Sequence, residues 1–248
     1  MTDIAARFAG LAATALLLLA ALGASDADLQ ASARIVLVTA VVGVLAPLFW
    51  PGRAATGGTT TARIVGWSLA CAGLAAAVAS LSGLGVGRLP RAATALAVLF
   101  LALVAAHAVA ATLEGLKLGR GAGPEAARES AAWIATAALV TLGAAPLWLG
   151  PAAELALADR PGAVDAVVAV SPLAHLAVAS GNDLLRNQWF YQHSNLAGLR
   201  FDYPRLAAVM TAYGLLAAVL LPVAAFRGSR RAAAATATST TFEEEHRR

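Results

Sequence analysis

The chain has 248 residues, of which 59% are hydrophobic and only 13% charged, with a formal net charge of +4 and a single cysteine. A soluble domain carries about 25% charged residues, so this composition excludes an ordinary water-soluble globule and, with its high apolar content, a disordered chain. One cysteine excludes an intramolecular disulfide framework, and no Cys/His spacing of the zinc type occurs. The basic residues stand singly at the ends of apolar runs, which is the pattern of a membrane protein and not of a nucleic-acid-binding face.

Six stretches lack Asp, Glu, Lys and Arg for 18 to 24 residues: 8–25, 35–52, 64–87, 92–113, 130–153 and 206–226. A helix crossing about 30 Å of hydrocarbon needs roughly 20 residues. The runs are continuously apolar rather than alternating, so they predict helices and not barrel strands. The expected fold is therefore all-α: an integral membrane bundle of six helices within a single domain over 1–231. The first run also resembles a signal peptide, with Arg7, a core around Leu16–Leu19 and small residues to Ser25. Asp3 and the length of the run favour a retained span.

Lys and Arg in the connections set the orientation. With the N-terminus inside, Arg7, Arg53, Arg63, Lys117, Arg120, Arg128, Arg227, Arg230 and Arg231 face the cytoplasm, against Arg34, Arg88 and Arg91 outside. This excess places both termini in the cytoplasm, across a membrane of the bacterial inner type. Between the fifth and sixth runs lies an external segment, 154–204. Its neutral run from Ala166 to Asn182 is broken at Ser171-Pro172, which predicts a re-entrant or interfacial helix. The tail 232–248, Ala/Thr/Ser followed by Glu243–Glu245, is expected to be disordered.

Signals of chemistry are sparse. No Walker sequence and no dinucleotide-binding glycine pattern is present, and no catalytic, cofactor or metal residues are assigned. His107 is the one histidine inside a run, without a second histidine or an acid at similar depth, so it reads as a hydrogen-bonding link between helices. The external segment concentrates polar and aromatic groups: Pro172, His175, Asp183, Arg186, Trp189, Phe190, Tyr191 and His193. These residues predict either an interfacial belt or an external gate or partner surface.

The last 110 residues resemble the C-terminal part of ABC-2 type permeases, the membrane halves of ABC exporters. The resemblance is carried by the fourth run leading into Leu116–Arg120, by Ala145–Pro151 closing the fifth, and by Val170-Ser171-Pro172-Leu173-Ala174-His175-Leu176 before a final span ending at Arg227. It implies a permease energised by a separate ATPase subunit, working as a homodimer or beside a related permease subunit. Arg53, Arg63, Lys117 and Arg120 are then the residues available to contact the ATPase. The chain departs from the family in having only seven residues before its first span and no acid between Gly52 and Arg63. The alternative expectation is a non-catalytic integral subunit or scaffold of a larger respiratory or photosynthetic membrane complex.

Overall fold

A computed structural model describes residues 2–22, 30–52, 59–81, 88–114, 123–156, 160 and 162–246. They form eleven α-helices: α1 (Thr2–Ala21), α2 (Ala31–Leu45), α3 (Thr60–Leu81), α4 (Leu89–Glu114), α5 (Pro124–Gly143), α6 (Ala145–Trp148), α7 (Gly150–Ala156), α8 (Ala163–Ala169), α9 (Pro172–Ser180), α10 (Gln188–His193) and α11 (Leu206–His246). Two 3-10 turns, Leu184–Arg186 and Asn195–Gly198, flank α10. No strand occurs among the described residues.

Four helices are long and apolar enough to cross a membrane: Asp3–Ala21, Thr60–Leu81, Leu89–Glu114 and Leu206–Arg227. The pair α8 and α9, bent by 80°, makes a fifth candidate if counted as one broken span. The second and fifth expected runs take other forms. α2 stops after 15 residues, about 22 Å at 1.5 Å per residue. Pro47 and Pro51 lie inside the uncharged run 35–52, and proline cannot supply the N–H that continues a helix. α5 starts at Pro124, ahead of the expected boundary at 130, because Glu125, Arg128 and Glu129 fit its first turns. It ends at Gly143, and the rest of the run 130–153 folds as the short helices α6 and α7. α11 continues as helix to His246. Ala232–Ala235 lie in this extension, and alanine is the strongest helix former.

α4 is the hub, packing against α2, α3, α5, α9 and α11. Its apolar window is 56% buried, against 17% for α1 and 11% for the membrane-length part of α11, so those two are peripheral. Its contact faces are built largely from alanine, including Ala92, Ala95, Ala105, Ala108 and Ala111. Small residues let helix backbones approach closely where lipid supplies no hydrophobic force for association. The outer faces carry large exposed apolar side chains: Leu17 (72%), Leu69 (62%), Val219 (64%) and Trp133 (64%). In water such a continuous surface drives association, whereas lipid solvates it.

The bundle has two chemically distinct ends. At one, α1 opens beside Pro51, Gly52 and Arg63, Arg128 donates to the Trp50 carbonyl, and Arg227 of α11 donates to the Thr112 carbonyl. We call this the foot. At the other end, α6, α7, α8 and α10 with the two 3-10 turns and the stretch to Tyr203 build a crown with its own small core, including Ala153, Val164, Val168, Leu185, Phe190, Leu196 and Phe201.

Candidate functional site

The crown is stitched by local caps and by polar contacts between segments far apart in the chain. Asn187 caps α10, its side-chain oxygen accepting from the Phe190 N–H at 2.9 Å. Ser194 Oγ donates to the Pro146 carbonyl at 2.9 Å, tying the end of α10 to α6. Arg186 donates through Nη2 to the Phe201 carbonyl at 2.9 Å, stands 4.7 Å over the Phe201 ring and pairs with Asp183 at 3.5 Å. Tyr203 Oη accepts from the Leu185 N–H at 3.0 Å and donates to Asp183 Oδ1 at 2.8 Å. Burial pushes the Tyr203 phenol well above its usual ionisation range, and the neighbouring Asp183 carboxylate adds to that.

The α8–α9 bend enters the bundle beneath this crown. Ser171, fully buried, caps α9 by accepting from the Ala174 N–H at 3.3 Å, and its hydroxyl donates to the Gly143 carbonyl at 2.9 Å. The tip of the bend is therefore fastened to the place where α5 ends. Four residues on, His175 faces α11. Its Nε2 lies 2.9 Å from the Ala169 carbonyl, which can only accept, so Nε2 carries the proton. Nδ1 then accepts from Tyr213 O–H at 2.9 Å, with the two rings edge to face. His175 is a helix-to-helix clasp rather than an exposed crown residue.

Below the bend lies a cleft of about 310 Å³, half enclosed and walled by α2, α4, α5 and α9. Gly43, Leu99, Gly143, Pro172, Phe190 and Tyr213 are among its lining residues. Its lining is almost wholly apolar, as a site for a hydrocarbon group requires. Irregular backbone at membrane depth persists only where protein or a cavity surrounds it. Here two interrupted elements, the end of α5 and the α8–α9 bend, meet on one cleft.

At the foot, the chain after α2 is held by side chains from three other helices. Trp67 Nε1 donates to the Ala46 carbonyl at 3.4 Å, and Arg128 Nη1 to the Trp50 carbonyl at 3.1 Å. The Trp50 ring stacks on His107 at 5.2 Å between centroids, and His107 Nδ1 shares a 2.9 Å hydrogen bond with Ser68. His107 is fully buried and links α4 to α3, the role its isolation in the sequence suggests. Its Nε2 and the Trp50 Nε1 have no hydrogen-bond partner among the described residues.

The structure brings some of the predicted residues together and separates others. Pro172 opens α9 and lines the cleft, Phe190 is buried between crown and cleft, and Asp183 and Arg186 pair within the crown. His193 closes α10 and is exposed, whereas His175 is buried. Trp189 and Tyr191 lie in α10, but their side chains fall outside the described residues. Arg63 sits in the first turn of α3 at the foot, whereas Arg53, Lys117 and Arg120 lie outside the described residues. Sequence reasoning missed the Tyr213 clasp and the Ser171 tie, since both join positions that are far apart in the chain. Among the described residues no group of His, Cys, Asp and Glu is placed to hold a metal ion.

The length and apolarity of the helices, with exposed leucine and valine around the bundle, define the class as a multi-pass helical membrane protein. No family model matches the chain, and neither a curated protein nor a solved structure does.

Proposed function

We propose that the chain is the membrane-spanning permease subunit of an ABC-2-like exporter, energised by a separate ATPase subunit and paired with a second copy or a related permease. In this reading α1 to α5 and α11 cross the bilayer, short α2 being completed by the turn 46–52 and α5 by the crown. The foot then lies in the cytoplasm and the crown outside. The observation that carries the reading is the α8–α9 bend, seated through Ser171 on the end of α5 over an apolar cleft. Interrupted helices meeting at a cavity are the form taken by transport sites, because freed backbone is tolerated only there.

Cargo presents an apolar portion to the cleft, and Pro172 with Phe190 closes it on the crown side. Movement of the bend relative to α5 opens that side, while Arg63 at the foot receives the force from ATP hydrolysis. The test is purification in mild detergent from cells expressing a tagged chain. An ATPase subunit should accompany it, and its ATP turnover should change when the permease is present. Absence of any ATPase, or turnover indifferent to the chain, refutes the proposal.

A further inference from the structure

A second cavity, of about 290 Å³, lies on three of the four helices that wall the apolar cleft, and its lining has the opposite chemistry. It is lined by Gln30, Ser32, Arg88, Arg91, Ser180 and Gly181, with no carboxylate among its described lining residues. The position is set by α2, α4 and α9. Arg91 precedes Val98 of the cleft by seven residues on α4, and Ser32 precedes Ala40 by eight on α2, which is about 10–12 Å along each axis. The basic cavity is thus the rim, and the apolar cleft lies further down the same wall.

Its parts are held in place. Gly181 adopts φ +68°, the left-handed conformation that ends α9, and a Cβ there would lie 3.1 Å from Arg91 Nε. The Arg91 side chain is therefore laid against bare backbone, which leaves its guanidinium at the cavity. Asn182 donates to Ser32 Oγ at 3.1 Å, joining the end of α9 to the start of α2, so the Ser32 hydroxyl proton is left to donate elsewhere. Two guanidiniums, a hydroxyl and a carboxamide converge, with no acid among the described lining residues. Arginine forks suit phosphate oxygens, which take parallel N–H donors.

We propose that this cavity binds a phosphate group, carried as the headgroup of an anionic lipid whose chain descends into the apolar cleft, or supplied as inorganic phosphate. Binding alone defines the site, so the proposal stands independently of transport and of any ATPase.

The test uses the full-length chain in neutral detergent, with retained ligand counted by native mass spectrometry. Phosphatidylglycerol should bind the wild type in preference to phosphatidylcholine. R88Q/R91Q should weaken it about fivefold per lost cation, roughly 30-fold together, at an unchanged unfolding temperature, and R88K/R91K, which keeps the charges but not the forks, should recover only part of the loss. Millimolar inorganic phosphate separates the sources: lipid retained in its presence identifies the headgroup, and displacement identifies the free anion. Gly143→Leu fills the cleft, where an added Cβ meets nothing within 4 Å; it should reduce lipid binding and spare phosphate binding. Asp26 and Asp28 precede Gln30 in the chain, so D26N/D28N is the control, expected to bind within twofold of the wild type. Equal retention by wild type and R88Q/R91Q overturns the proposal, as does binding seen only in D26N/D28N.

Discussion

Gly52 offers a quantitative test of how the foot is assembled. It has φ +74°, and a Cβ there would lie 2.6 Å from Arg128 Cδ and 3.2 Å from Cγ. Arg128 is only 9% exposed and holds the Trp50 carbonyl at 3.1 Å, so its side chain has no free direction in which to retreat. Gly52→Ala therefore meets two penalties. A side chain in the left-handed region costs about 1–2 kcal/mol, and displacing the arginine loses a charged hydrogen bond of about 1.5–3 kcal/mol. Their sum, about 3.5 kcal/mol, corresponds to a fall of roughly 7–14 °C in unfolding temperature for a chain of this size. Arg128→Ala alone should cost about 2 kcal/mol, its 3.6 Å contacts to exposed Glu125 and Glu129 adding little. In the double variant the clash is gone and the arginine bond is already lost, so its cost should match that of Gly52→Ala. The assay is thermal unfolding of all four proteins in one detergent. Additive losses in the double variant would refute the contact between Gly52 and Arg128 as the source of the effect.

Two further outcomes follow from the crown. Ser171→Ala removes an N-cap, worth about 1 kcal/mol, and leaves the Gly143 carbonyl without that donor, about 1–3 kcal/mol more; the crown should become protease-sensitive while the foot stays resistant. Tyr203 ionises near pH 10 when unfolded and at a higher pH when folded. Its contribution to crown stability is thus complete below pH 10 and is lost as pH rises from there through the folded value. Tyr203→Phe should cost about 1 kcal/mol at neutral pH through its lost hydrogen bonds, and should flatten the decline in proteolytic resistance above about pH 10.

What the sequence disclosed depended on the range of the interactions involved. Charge-free runs located α1, α3, α4 and the first part of α11 because the cost of placing a charge in hydrocarbon is a local property of each residue. Counting charges alone overlooked Pro47, Pro51 and Pro146, which end or restart helices inside uncharged stretches. The break before Pro172 was legible for the same reason, since a residue preceding proline leaves the helical region. His175 and Phe190 stood out by type, but their neighbours did not. Tyr213 is 38 positions from His175, and Gly143 is 28 from Ser171. The basic rim was visible only as Arg88 and Arg91, which oppose the charge bias. Its closure by Gly181 depends on α9 returning to α2 and α4, a tertiary contact that no local pattern encodes.

Side-specific labelling of single cysteines tests the central claim most directly. In a C71S background, Gln192→Cys in the crown should react with a membrane-impermeant maleimide on intact cells. Thr2→Cys and Arg231→Cys should react only after the membrane is opened. A protected crown, or chain ends that label from opposite sides, would contradict a bundle that carries both termini at the foot and the gate outside.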